Sequence, residues 1–159
     1  VTEEKELLQY VRFCFSQELP LKAAKLLTSG LDSGMLEPTE SNLKFLANAW
    51  LQAREPLQAL GPLKKAAKLS ESGELYVHLG QTYSELLRWK EAATALNQAL
   101  DRGGLERPGD AMLLLGIAEI SSKRYSQARK IFTRALSEKG AEKAAQQWLS
   151  HLREIELRQ

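Results

Sequence analysis

One cysteine, Cys14, is the only thiol in the chain, so no internal disulfide can staple it. Two histidines, His78 and His151, are thin material for a metal centre or for acid–base chemistry. No apolar run approaches the roughly 20 residues of a membrane span, and no signal-peptide pattern opens the sequence. Basic side chains number 22 and acidic ones 20, and they are interspersed, so no block of one sign is offered to nucleic acid. Period-two alternation, the mark of strands, is missing. The sequence opens at Val1 rather than methionine, with a helical pattern almost at once, and reads as a trimmed piece of a longer protein.

What remains is ordinary globular material. The 159 residues are enough for one domain with a core, and 43% hydrophobic with 26% charged is a soluble-domain composition. Apolar residues recur at helical spacing throughout, punctuated at short intervals by Gly, Pro and Ser, which predicts an all-α chain.

The helical pattern also repeats. The stretch "LYVHLGQTYSELLRWKEAATALNQAL" carries Tyr76, Leu79, Gly80 and Tyr83, then Ala92, Leu96 and Ala99. Thirty-six positions on, the register returns as Met112, Leu115 and Gly116, then Ala128, Phe132 and Ala135, with Glu119 where an aromatic is expected. Thirty-three positions earlier it runs Leu43, Leu46, Ala47 and Trp50, then Ala59, Leu63 and Ala66; a degenerate copy opens the chain with Leu7, Tyr10, Val11 and Cys14, then Ala23, Leu27 and Gly30. These residues resemble the tetratricopeptide repeat, a helix–turn–helix unit. The resemblance covers residues 3 to 140 and implies a right-handed α–α superhelix, a solenoid of four helix pairs plus a C-terminal capping helix. The expected repeats are 4–36, 40–70, 73–106 and 109–140 within a single domain 1–159, with the cap at 141–158, where Trp148, Leu149, Leu152 and Ile155 form one stripe.

Small residues at Gly80, Ala92 and Ala99 let two antiparallel helices approach closely, while Leu79, Tyr83 and Leu96 fill the wedges. Pro20 and Pro56 stand where second helices begin, in the first turn where a missing N–H costs least; Trp89 and Tyr125 take that place in the later repeats. The linker "GMLEP" at 34–38 recurs as "GGLER" at 103–107, which predicts one loop design used twice.

Chemical candidates reduce to structure one by one. Gly103 and Gly104 lack the Lys, the Ser or Thr and the preceding strand of a phosphate cradle, so they read as a helix stop before Pro108 and Asp110. Glu74 and His78 share a helix face, but two ligands fall short of a zinc site. Cys14 sits in "VRFCF" as a buried, inert thiol. Neither a catalytic group nor a cofactor site is expected. The basic clusters Lys64, Lys65, Lys68 and Lys123, Arg124, Arg129, Lys130, Arg134 read as solvated second-helix faces.

In the tetratricopeptide family, the first helix of each repeat lines a concave groove that holds peptides. Carried over by register, the groove candidates are Arg12, then Lys44, Asn48 and Gln52, then Glu74, His78, Gln81 and Glu85, with Leu113, Ile117 and Ile120 as an apolar end. Lys44 and Asn48 match the first pair of the clamp with which co-chaperones of this family grip a terminal carboxylate. His78, Asp110 and Leu114 stand where its remaining Asn and basic pair belong, so the clamp is incomplete. The phrase from Gly103 to Leu136, followed by "KAAQQWLSHL", resembles bacterial tetratricopeptide proteins encoded beside TonB, ExbB and ExbD, which implies a periplasmic adaptor.

The expected function is a non-catalytic scaffold that binds a protein or peptide partner in its groove, without nucleic acid and without a membrane span. A monomer is the expected state. The alternatives are a regulatory or substrate-presenting arm of an enzyme whose catalytic domain lies upstream, and self-association through an end or through the apolar patch near Ile117.

Overall fold

A computed structural model describes residues 2–158 of the chain. Among the described residues there are nine α-helices and no strand: α1 (Thr2–Ser16), α2 (Pro20–Asp32), α3 (Glu40–Gln52), α4 (Pro56–Leu69), α5 (Glu74–Glu85), α6 (Trp89–Arg102), α7 (Pro108–Ser121), α8 (Tyr125–Ala135) and α9 (Glu142–Leu157). They group into two compact units, Val1–Ser70 with α1 to α4 and Glu71–Gln159 with α5 to α9.

Within each unit the helices pack as successive hairpins, and the four hairpin turns share one geometry. Glu18, Arg54, Leu87 and Lys123 each adopt positive φ, between 54° and 60°. The next residue in each case returns its N–H to a carbonyl five positions back: Leu19 to Cys14, Glu55 to Trp50, Arg88 to Tyr83 and Arg124 to Glu119, at 2.8 to 2.9 Å. This is the six-to-one bond of a Schellman stop, which satisfies a carbonyl the helix has left without a partner. Pro20 and Pro56 follow directly in the first turns of α2 and α4, where no N–H is needed. Trp89 and Tyr125 open α6 and α8.

The core of the first unit joins Val11, Cys14, Ala23, Ala24, Leu27, Leu46 and Ala49 with Leu36 from the α2–α3 loop. Leu36 closes over the end of α2, its N–H bonded to the Gly30 carbonyl at 2.9 Å. Tyr10 departs from its register. Its counterparts Leu46, Leu79 and Leu115 are buried, whereas Tyr10 is 43% exposed, stacked on Phe13 with the Lys22 ammonium 5.1 Å from its ring centroid.

In the second unit the close approaches are severe. A Cβ on Gly80 would lie 2.6 Å from Leu96 Cγ, and one on Gly116 would lie 2.3 Å from the Phe132 ring. Ala92 and Ala99 are fully buried beside them. The last helix, α9, is seated by Leu152, which packs with Ala128 and Phe132, and by Trp148, whose ring stacks on Phe132 at 5.7 Å and 2°. An ion pair between Arg129 and Glu156 joins α8 to α9 at the margin.

Glu119 explains itself in this frame. It is 6% exposed, and it pairs with Arg124 across the α7–α8 turn. The matching residues of the preceding hairpin are Tyr83 and Arg88, and there the guanidinium lies 5.1 Å over the tyrosine ring. One hairpin uses a cation–π contact and the next an ion pair, at one register position.

Candidate clefts on the first-helix faces

In the first unit, α1 and α3 present a common face. Arg12 and Phe15 come from α1, and Phe45, Asn48 and Gln52 from α3; together they line a cleft of about 410 Å³. The helical period places these residues side by side, since positions three and four apart share a face. The two phenylalanine rings stack at 5.1 Å and 24°, half-buried on the core beneath. Around them stand Arg12, Asn48 and Gln52, and no carboxylate lines the cleft. Lys44 is exposed on α3, one turn before Asn48.

In the second unit, a narrower cleft of about 180 Å³ lies between α5, the α6–α7 loop and α7. Glu74, His78 and Gln81 line it from α5, with Glu106 and Arg107 from the loop and Asp110 and Leu114 from α7. Three carboxylates therefore face one guanidinium, and Arg107 is already paired with Asp110 at 3.0 Å. Glu74 is also engaged: its Oε1 accepts the Glu106 N–H at 2.8 Å. Glu85 is exposed near the end of α5, outside that lining.

The loop after α6 is held rather than open. Gly103 stops the helix at φ 73°, its N–H bonded to the Ala99 carbonyl and its own carbonyl accepting from the Gly73 N–H at 2.8 Å. The Ser72 hydroxyl donates to the Gly104 carbonyl at 3.2 Å. The Gly103 and Glu106 amides are thus both given to oxygens of the protein itself, as in a turn and unlike an anion cradle. Its sequence twin is built differently. Gly34 also has positive φ, 75°, but α2 is followed by Ser33 and the buried Leu36, whereas Leu105 stays half-exposed at the cleft. The two loops share a glycine conformation and not an anchoring scheme.

Seven register-derived residues thus gather in two groups: Arg12, Asn48 and Gln52 in one unit, and Glu74, His78 and Gln81 in the other, with Lys44 beside the first. Leu113 and Ile117 lie elsewhere. They are half-buried, packed with Ile120 against the cluster of Ala128, Phe132 and Leu152, because α9 docks there. Phe15 and Phe45 complete the first cleft and were hidden in the sequence among core positions. The signal was available: Phe15 lies three residues after Arg12, and Phe45 three before Asn48. Among the described residues no group of three His, Cys, Asp or Glu could hold a metal ion, and no helix is long and apolar enough to cross a membrane.

No family model matches the chain, and no curated protein sequence does. Solved structures do. A tetratricopeptide repeat protein from Parabacteroides merdae superposes with a TM-score of 0.78 at 16% identity, over 98% of this chain and 62% of that one. YrrB, described as a tetratricopeptide protein with an unusual peptide-binding site, gives 0.72 at 15% identity, over 94% and 76%. MamA from Desulfovibrio magneticus gives 0.69 at 15% identity, over 100% and 98%. None of these three is described as a TonB, ExbB or ExbD partner. At such identities the likeness is one of architecture, and the chain has the tetratricopeptide solenoid fold.

Proposed function

We propose that the chain is a non-catalytic scaffold that binds an extended segment of a partner protein on its first-helix faces. The observation that carries this reading is the α1–α3 cleft: three residues chosen by repeat register converge there on a stacked aromatic pair in a cavity of about 410 Å³. A few polar groups around an apolar floor is the usual composition of a binding site. YrrB, with the same fold and a peptide-binding site, supports the class of ligand. The narrower cleft with Glu74, His78 and Gln81 supplies a second set of polar contacts.

A finer role, a periplasmic adaptor for a TonB-type system, is proposed on the resemblance of residues 103–136 and 143–152 alone, and the solved structures add nothing to it. The test of the general reading is a peptide array probed with the intact protein and with the variants Asn48→Ala/Gln52→Ala and His78→Ala/Gln81→Ala. Truncating these polar contacts is expected to weaken capture by about tenfold or more in at least one double variant. Peptides captured at unchanged strength by both variants would remove the first-helix faces from the binding surface.

A further inference from the structure

We infer that the α1–α3 cleft of the first unit reads an acidic segment of its partner, with one large apolar side chain of that segment seated against the Phe15–Phe45 pair. The inference rests on the peptide-binding reading above and adds the chemistry of the occupant.

Size selects this cleft over the other. At about 410 Å³ it falls within the range of roughly 300–1,000 Å³ typical of ligand sites, whereas the α5–α7 cleft at about 180 Å³ lies below it. The floor is apolar and rigid, because both rings are packed on the core of Leu46, Cys14 and their neighbours. An inserted Phe, Leu or Met would exchange water for ring and methylene contact there.

The rim selects the charge. Arg12 offers a planar fork of N–H donors that matches a carboxylate, and it makes no ion pair among the described residues. Lys44, one turn from Asn48, makes none either. By contrast the one guanidinium lining the α5–α7 cleft, Arg107, is paired with Asp110. The side-chain amides of Asn48 and Gln52 make no side-chain hydrogen bond among the described residues, and each can both donate to and accept from an extended backbone. A basic segment would set its charges against Arg12 and Lys44, with no carboxylate in the lining to offset them. Single-stranded nucleic acid fits less well, because successive bases need a row of stacking platforms and the cleft holds one half-buried aromatic pair.

Fluorescence anisotropy with the intact protein tests this. The probe is a labelled, C-terminally amidated peptide Glu-Asp-Phe-Glu-Asp, with Lys-Arg-Phe-Lys-Arg, Glu-Asp-Ala-Glu-Asp, the free-acid form and an oligothymidylate as comparators. The acidic phenylalanine peptide is expected to bind saturably, and the basic one at least about tenfold more weakly. Alanine for phenylalanine and the exposed change Arg12→Glu should each cost about tenfold, Gln52→Glu severalfold, and amidation should leave affinity within about twofold of the free acid. Raised salt should weaken the acidic peptide. The inference is overturned if the acidic peptide fails to saturate, if Arg12→Glu and Gln52→Glu both leave it unchanged, if binding needs the free carboxylate, or if the oligonucleotide binds more tightly. Preferential binding of the basic peptide, lost in the Asn48→Ala/Gln52→Ala variant, would overturn the acidic assignment while leaving the peptide-binding face in place.

Discussion

Glu119 and Tyr83 hold the same place in successive hairpins, and each meets the arginine that ends its turn. The sequence pattern marks Glu119 as a misfit, since an aromatic belongs there; the structure shows that the misfit is answered by Arg124. A buried carboxylate paired with a half-exposed guanidinium gains attraction against desolvation, and such pairs are often replaceable by apolar groups of similar size with little loss. Removing one partner is different, because the other is left charged and buried. Arg124→Ala is therefore expected to cost about 3 kcal/mol, since Glu119 is the more deeply buried member. Glu119→Tyr, which recreates the tyrosine–arginine contact of the preceding hairpin, is expected to stay within about 1 kcal/mol of the parent. Urea unfolding of the two variants separates the cases. A Glu119→Tyr protein as unstable as Arg124→Ala would show that the ring has no room beside α8. At this scale packing residues were readable from register, and so was the misfit; the partner that resolves it was not, because an arginine at a turn reads equally well as solvated.

The helices themselves were legible because each signal is local. Proline at first turns, small residues at close approaches and the stripe along residues 148 to 155 all act within or across one hairpin. The loops were less so. "GMLEP" and "GGLER" look alike, yet one is plugged by Leu36 and the other is tied by Ser72, Gly73 and Glu74, residues some thirty positions away that no local reading connects. The docking of α9 has the same non-local character and decides the fate of Leu113 and Ile117. Two features hold α9, and they differ in weight. Leu152 is fully buried between Ala128 and Phe132, so Leu152→Ala should cost about 2–5 kcal/mol. Arg129 and Glu156 remain 42% and 34% exposed, and an ion pair so open to water contributes less than about 1 kcal/mol. Thermal unfolding followed by circular dichroism should show a large drop for Leu152→Ala and a small one for Arg129→Ala. Comparable drops would mean that the ion pair, and not the apolar seat, holds the last helix.

Within each unit, contacts run mainly between helices adjacent in the chain, and among the described residues the α5–α7 and α7–α9 pairs and the Phe15–Phe45 stack between α1 and α3 add to them. The sequence could supply the list of first-helix positions because such a chain repeats one local rule. It could not say that they divide between a wide basic cleft and a narrow acidic one, which depends on which side chains the loops and α9 consume. The same near-neighbour wiring shapes the response to damage. In a stack of repeats stability is close to a sum of local terms and interfaces, so a lesion is felt first where it is made. Leu27 is fully buried in the first unit and Phe132 in the second. Leu27→Ala should lower hydrogen-exchange protection most in α1 to α3, and Phe132→Leu most in α7 to α9, with helices of the other unit least affected. The size of the local loss should be about 2–5 kcal/mol for Leu27→Ala, the cost of a leucine-sized cavity that its neighbours fill only in part. Phe132→Leu should be milder, since leucine keeps the buried site apolar and partly filled, at the loss of the ring stacked on Trp148. If either substitution lowers protection equally in all nine helices, the chain unfolds as one cooperative block, and local bookkeeping of its repeats does not apply.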